Sequence, residues 1–233
     1  MSKEWLSREI SLLGEEKTDQ LCRASVLVVG VGGVGGAVTE ALARAGIGKL
    51  TLVDHDTVSV SNINRQIIAD TETVGRLKTE VFAGRIGKIN PECSVLSLPL
   101  FVTGENAGEI IDAAKPDFVV DAIDNVTAKI ALAKEAAARG IPFIASMGTG
   151  NKLDPAKLKI SDIEKTSVCP LARVMRQKYR EAELRHVPVL WSDELPVKIG
   201  QRTPASISYL PPAAGLLIAS YVIRKLIGEE NRS

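Results

Sequence analysis

A glycine-rich segment, Gly30-Val-Gly-Gly-Val-Gly-Gly36, is the sequence feature that most restricts how this chain can fold. It follows a short β-branched run at 26–29 and precedes a stretch whose apolar residues recur at helical spacing. Glycines at such a junction permit a tight turn and bring backbone N–H groups close to a phosphate at the N-terminus of the helix. The segment therefore predicts a parallel α/β sheet with a nucleotide site at one edge.

Strand and helix patterns continue to alternate as far as residue 146. Buried strands are predicted from apolar runs at 26–29, 50–53, 95–98, 118–120 and 143–145. Helices are predicted around 38–45, 74–89 and 126–139. The fold class is α/β, a Rossmann-like, mostly parallel sheet with flanking helices, to which the C-terminal part adds a strand and helix extension.

The length of 233 residues fits one domain, 1–233, with a nucleotide-binding half at 1–150 and a substrate-facing half at 151–233. The net charge is only +1, but residues 151–233 carry 14 basic and 9 acidic side chains, against 15 and 19 in residues 1–150. Five cations are expected on one helix of the second half: Arg173, Arg176, Lys178, Arg180 and Arg185. They form either a solvated face of ion pairs or a contact surface for nucleic-acid phosphates.

Cysteine usage and hydropathy exclude several classes of protein. The three cysteines, Cys22, Cys93 and Cys169, form no CxxC pair, which argues against a disulfide scaffold and a cysteine-rich zinc site. The first twenty residues do not resemble a signal peptide, and the most apolar late stretch is too short to cross a bilayer. We expect a soluble, cytoplasmic protein without a membrane partner.

Polar residues that follow the second strand indicate which nucleotide is bound. Asp54 stands 24 residues after Gly30, where an acid can accept hydrogen bonds from ribose hydroxyls. The amide and cationic residues beyond it suit a reaction at the α-phosphate of ATP, because charge on phosphoryl oxygens and pyrophosphate must be neutralised. These residues are Asn62, Arg65, Gln66 and Lys78. A nicotinamide-dependent oxidoreductase has no evident need for them, although the glycine segment alone would permit one.

A second carboxylate is expected at the same edge, after the fourth strand. Asp124 is followed by Asn125 and then by the helix predicted from 126. A carboxylate there can hold a Mg²⁺ that bridges phosphates. Aspartate is also a favoured N-cap, so Asp124 can equally cap the helix.

Together these residues resemble the ubiquitin-activating-like adenylating enzymes, which include the bacterial activators of molybdopterin and thiamine sulfur carriers. The match extends from about Arg8 to about Gly228. The resemblance implies ATP and Mg²⁺ as cofactors, and a homodimer in which Arg8 reaches the partner's site. It implies Arg65, Lys78, Asp124 and Arg8 as catalytic residues, with Asp124 also holding the metal. The implied nucleotide-binding residues are Gly30, Gly32, Gly33, Gly35, Asp54, Asp56, Asn62, Arg65, Gln66, Lys78, Asp124 and Asn125.

Within that family the segments 62–67, 89–93, 120–124, 165–171 and 206–215 look like those of tRNA threonylcarbamoyladenosine dehydratases. The resemblance implies that ATP activates the threonylcarbamoyl carboxylate of the modified tRNA, and that ring closure follows. The partner is then tRNA carrying threonylcarbamoyladenosine, and a sulfur-transfer protein stays open as a further partner. The alternative is an activator of a ubiquitin-like sulfur carrier, against which the missing CxxC pairs argue.

Other chemistry-bearing residues have simpler interpretations. Cys169 precedes Pro170 at an expected helix start, and a structural role is favoured over a catalytic one. Tyr179, Trp191 and Tyr209 could stack on RNA bases, but core or interface roles are favoured.

Overall fold

A twisted sheet of seven strands lies at the centre of the computed structural model, which describes residues 3–200 and 203–229. The strands are β1 Ser25–Val29, β2 Lys49–Val53, β3 Ser94–Leu98, β4 Phe118–Asp121, β5 Phe143–Ser146, β6 Leu158–Asp162 and β7 Pro188–Ser192. Their order is β3-β2-β1-β4-β5-β7-β6, with all neighbours parallel except the antiparallel pair β6–β7. The predicted mostly parallel, Rossmann-like sheet is confirmed.

Eight α-helices flank this sheet in the described part of the chain. They are α1 Ser7–Leu13, α2 Glu15–Arg23, α3 Gly33–Arg44, α4 Lys78–Ile89, α5 Ala107–Ala114, α6 Val126–Ala138, α7 Pro170–Glu181 and α8 Leu210–Leu226. Short 3₁₀ helices cover Lys3–Leu6, Val60–Asn62, Pro155–Lys157 and Ile163–Lys165. None of these helices is long and apolar enough to cross a membrane.

Apolar helix faces cover both sides of the sheet. One face of the central strands packs against α3, α4 and α8 through side chains such as Leu42, Phe82 and Ile218. The other face packs against α5 and α6 through Ile110 and Leu132. This three-layer arrangement buries the central strands on both sides, which explains their nearly continuous apolar sequences.

Three sequence-based expectations need correction. Strand β3 is only partly buried, because it lies at the edge of the sheet and pairs with β2 alone. Helix α4 begins at Lys78 rather than near Val74, since residues 71–76 form turns and Val74 is exposed. Helix α7 ends at Glu181, so Arg185 lies beyond it and does not share its face.

The order of strands creates a crevice between β1 and β4. From β1 the chain proceeds to β2 on one side, and from β4 it proceeds to β5 on the other. Because the crossover connections diverge there, the loops that leave β1 and β4 are separated at the carboxyl edge of the sheet, where α/β proteins bind ligands.

Candidate nucleotide site

The glycine-rich loop leaves β1 at this crevice and continues directly into α3. Gly30 has a φ of 83°, and a Cβ there would lie 2.8 Å from the carbonyl oxygen of Ala122. A Cβ on Gly35 would lie 1.7 Å from the carbonyl oxygen of Gly30. These two positions therefore require glycine, and they leave the N-terminus of α3 open toward a ligand.

Asp54 fixes the loop at the end of β2. Its carboxylate accepts hydrogen bonds from the backbone N–H of Val31, at 2.9 Å, and of Asp56, at 2.9 Å. The residue is almost completely buried, yet it lines the pocket described below. Asp54 thus braces the glycine loop from the side on which a ribose would lie.

Two cations lie next to this acid, each oriented by neighbouring groups. Lys78 is buried at the start of α4, and its Nζ lies 2.7 Å from Oδ2 of Asp56. That hydrogen bond lowers the pKa of the Asp56 carboxyl. Nη1 of Arg65 donates to the carbonyl of Ser61 at 2.7 Å and to Oδ1 of Asn64 at 2.8 Å. Both cations face one pocket, where they can neutralise phosphate charge.

Two amides of the same loop have different environments. Oδ1 of Asn62 accepts a hydrogen bond from the backbone N–H of Ser59 and closes the 3₁₀ turn Val60–Asn62. Gln66 lines the pocket, and its buried Oε1 has no hydrogen-bond partner among the described residues. Asn62 therefore shapes the loop that presents Arg65, whereas Gln66 faces the ligand space.

The loop after β4 brings Asp124 and Asn125 to the same pocket. Asn125 caps α6, because its Oδ1 accepts from the backbone N–H of Ala128 at 3.0 Å, so the capping role considered for Asp124 is wrong. Asp124 is exposed in the pocket, and its carboxylate makes no hydrogen bond or ion pair within the described residues. A carboxylate free of protein partners at this edge is a suitable oxygen ligand for Mg²⁺.

These elements enclose one continuous pocket of about 450 Å³, a size typical of small-molecule sites. Of the predicted site residues, ten line it: Gly30, Gly32, Gly33, Asp54, Asp56, Arg65, Gln66, Lys78, Asp124 and Asn125. Gly35 packs behind the glycine loop and Asn62 beneath the arginine loop, outside the lining. Arg8 is exposed on α1 and does not line this pocket, so its action on a partner's site stays a prediction.

Three further groups of lining residues were not anticipated. Phe101 follows β3 and lies edge-on against His55, with ring centroids 4.8 Å apart. The loop 146–150 after β5 and the segment 203–206 before α8 form the remaining wall. In the sequence, only Gly148 and Gly150 indicate a turn in the loop 146–150. No local pattern distinguishes residues 203–206 as part of a pocket.

Side chains considered for RNA contact are unequal in exposure. Tyr179 and Trp191 are buried, which confirms their predicted core roles, whereas Tyr209 is exposed. Cys169 is buried at the N-terminus of α7.

The cations expected on one helix are mostly paired. Along α7, Arg180 pairs with Glu164 and Lys178 pairs with Glu181, while Arg176 donates to the carbonyl of Thr166. The basic helix is thus largely a face of ion pairs and hydrogen bonds, with Arg173 exposed.

Comparisons with known proteins agree with this geometry. The ThiF family model matches residues 6–233. The tRNA threonylcarbamoyladenosine dehydratase of Bacillus subtilis is 39% identical over 95% of this chain and 94% of its own length. The crystal structures of the Escherichia coli tRNA N6-threonylcarbamoyladenosine dehydratase TcdA with AMP and with ATP each superpose with a TM-score of 0.92 at 33% identity. Each superposition covers 99% of this chain and 97% of TcdA.

The family model spans nearly the whole chain, and the Bacillus subtilis enzyme is similar to it over almost the full length of both proteins. Both comparisons indicate the same family. The resemblance inferred from the motifs is confirmed: the chain belongs to the ThiF family of adenylating enzymes and is similar throughout to its tRNA threonylcarbamoyladenosine dehydratases.

Proposed function

We propose that this protein is an ATP-dependent dehydratase that adenylates the carboxylate of N6-threonylcarbamoyladenosine in tRNA and allows it to close into a ring. The observation that carries the proposal is that the glycine loop, Asp54, Arg65 and Lys78 line the same pocket. The full-length similarity to dehydratases, one of which is solved with ATP, supports the same substrate class.

The chemistry has two balanced steps. A carboxylate oxygen of the substrate attacks the α-phosphorus of ATP, the bond to the β-phosphate breaks, and pyrophosphate leaves. A nitrogen or oxygen of the same substituent then attacks the activated carbonyl carbon, and AMP departs with the former carboxylate oxygen. Because the nucleophile is already held in the same side chain, this second step benefits from high effective molarity and needs no enzyme thiol.

The residues of the pocket have distinct tasks in this scheme. The N-terminus of α3 and the glycine loop hold phosphate oxygens, and Asp54 accepts hydrogen bonds from the ribose. Arg65 and Lys78 stabilise the negative charge that grows on the phosphoryl oxygens and on the leaving pyrophosphate. Asp56 keeps Lys78 pointed into the pocket through their 2.7 Å contact.

Asp124 would hold Mg²⁺, which when bound neutralises charge on the phosphates. Its free carboxylate in the pocket that Lys78 also lines supports this role.

We assign the nucleotide chiefly to residues 1–150 and the tRNA chiefly to residues 151–233. The excess of basic residues in the second half suits a phosphate backbone. Leu171 lines the pocket, and Arg173 is exposed two residues further along α7, which supports RNA contact beside the pocket mouth. We also place the protein in the cytoplasm, where tRNA serves translation. A sulfur-transfer protein as a further partner stays a prediction.

We further propose a homodimer in which Arg8 of one subunit completes the site of the other. The exposure of Arg8 on α1, away from its own pocket, supports this arrangement. Chains carrying Arg8→Ala and chains carrying Arg65→Ala are each expected to be inactive. Their random mixture should recover about a quarter of the wild-type activity, because half of the dimers would contain one complete site. If the mixture recovers no activity, the active site is not shared between two subunits in this way.

The function is tested by measuring AMP and pyrophosphate release. Purified protein with ATP and tRNA carrying threonylcarbamoyladenosine should release both products, and the tRNA nucleoside should lose the mass of one water. The same tRNA without the modification is the control and should support no turnover. Pyrophosphate exchange with a ubiquitin-like sulfur carrier, without any response to modified tRNA, would instead establish the sulfur-carrier activator.

A further inference from the structure

A short segment before α8, which we call the strap (residues 203–206), forms one wall of the nucleotide pocket. Thr203, Pro204, Ala205 and Ser206 all line the pocket, as do Lys78 and Asp124. The steps proposed above give the strap no task. Its attachments to the rest of the protein therefore indicate what it contributes.

Asn151 attaches the strap to the loop that follows β5. Its backbone N–H donates to the carbonyl of Ala205 at 2.8 Å, and its Oδ1 accepts from the N–H of Ala205 at 2.7 Å. Its own carbonyl accepts from Val197 at 2.7 Å. Asn151 has a φ of 60°, a left-handed conformation that asparagine adopts more readily than most residues. One residue thus binds both the backbone N–H and the carbonyl of Ala205.

The neighbouring glycine brings the strap still closer. A Cβ at Gly150 would lie 2.6 Å from Cβ of Pro204. The strap and the loop after β5 are therefore packed backbone against side chain with no room between them. The position of the strap is defined by this contact and by Asn151 together.

Asn64 attaches the strap to the loop that carries Arg65. Its Nδ2 donates to the carbonyl of Ser206 at 3.2 Å, while its Oδ1 accepts from Nη1 of Arg65 at 2.8 Å. A single amide thus joins the strap to the guanidinium group that faces the phosphates. This amide is therefore hydrogen-bonded at once to the strap and to Arg65, which also donates to the carbonyl of Ser61.

We propose that Asn64 and Asn151 are positioning residues that hold the strap across the acyl side of the pocket, and that Asn64 aims Arg65 according to the strap's position. The acid substrate must approach the α-phosphorus beside Arg65, so it occupies the space next to the strap. The position of the substrate and the orientation of the Arg65 guanidinium then both depend on Asn64 and Asn151. The inference rests on the proposed function, because it assigns this space to the tRNA substituent.

Two substitutions test the hydrogen bonds of Asn151 and Asn64 to the strap one at a time. Asn151→Gly keeps the left-handed backbone and removes only the side-chain hydrogen bond to Ala205. Asn64→Asp keeps an acceptor for Arg65 and removes the donor to Ser206. The loss of one neutral hydrogen bond in Asn151→Gly predicts a rise of about 3- to 10-fold in the KM for modified tRNA. Asn64→Asp should raise this KM at least as much, because its new carboxylate oxygen faces the carbonyl oxygen of Ser206. The KM for ATP should stay within about twofold of wild type, because neither residue lines the pocket and both variants keep an acceptor for Arg65 at position 64.

Matched controls distinguish a loss of these hydrogen bonds from a general effect of substitution. Asn151→Asp retains the acceptor for Ala205 and should restore the KM for tRNA. Ser208→Ala alters an exposed serine two residues beyond the strap, outside the pocket lining, and should change neither KM. Thermal unfolding should give each variant a Tm within about 2 °C of wild type, a shift too small for general destabilisation.

The coupling itself is measured in the double variant Asn64→Asp/Asn151→Gly. If both residues act through the strap, the combined loss of kcat/KM for modified tRNA should be clearly smaller than the product of the single losses. If the loss of kcat/KM in the double variant equals the product of the single losses, the two residues do not act through the strap. Equal rises in the KM for ATP and for tRNA would also overturn the proposal. Wild-type protein that fails to release AMP with modified tRNA would refute the proposed function. Wild-type turnover with unaffected variants would refute only the role of the strap.

Discussion

Replacement of Lys129 by methionine should destabilise the protein strongly, although the residue touches no ligand. Lys129 on α6 and Asp121 at the end of β4 have completely buried side chains, and Nζ lies 2.9 Å from Oδ1. Burial raises the pKa of the Asp121 carboxyl, and the charge of Lys129 opposes that rise. Removal of one partner from a buried ion pair leaves the other uncompensated, which costs about 3–5 kcal/mol. For a chain of this size the Tm should fall by about 6–20 °C.

The assay is urea unfolding of Lys129→Met beside Lys134→Met, which alters an exposed lysine on the same helix. Protonation removes the uncompensated charge of Asp121, and a raised pKa in the folded state means that stability declines as pH increases. The deficit of Lys129→Met should therefore be smaller at pH 5 than at pH 8. Asp121→Asn combined with Lys129→Met should recover at least half of the loss. A cost no larger than that of Lys134→Met would refute the reasoning.

Three further predictions concern the pocket, a half-buried acid and a buried thiol. Arg65→Ala and Lys78→Ala should each lower the kcat of AMP release by about 100-fold or more, as expected for a lost charge-stabilising donor, while the Tm stays near that of wild type. Burial raises the pKa of Glu9 to about 7, so this acid destabilises the fold as pH rises from about 4.5 through 7. Glu9→Gln should stabilise the protein by about 1 kcal/mol at pH 8, after allowance for solvent screening, and much less at pH 5 in urea unfolding. Cys169→Ala should leave AMP release largely unchanged, and an inactive variant that still folds would point to covalent catalysis by that thiol.

The central strands and the nucleotide loop could be predicted because their signals are local. The observed bounds of β1, β2 and β4 differ from the predicted ones by no more than a residue or so at each end. Both the β-branched runs and the glycine segment reflect requirements of the residues themselves, namely burial on two faces and a tight turn. Arg65 and Lys78 could be selected because cations after a ribose acid have a clear chemical purpose.

The remaining pocket wall could not be predicted, because it depends on contacts between distant segments. Phe101 belongs to a loop beside the sheet edge, and its place next to His55 follows from the pairing of β3 with β2. Residues 203–206 line the pocket, and their hydrogen-bond partners Asn64 and Asn151 lie more than fifty positions earlier in the chain. The antiparallel pairing of β6 with β7 likewise leaves no periodic signal that separates it from a parallel crossover.

The dense contact between α8 and α3 has a consequence for biosynthesis. A Cβ on Gly215 would lie 2.3 Å from the carbonyl oxygen of Val34, and Pro211 lies against Gly33, so α8 supports the glycine turn to which we assign the phosphates. A nascent chain that has not yet released residues 210–226 from the ribosome lacks this support. ATP should therefore bind only after residues 210–226 have emerged from the ribosome, and shorter polypeptides should neither sequester the nucleotide nor begin to modify tRNA.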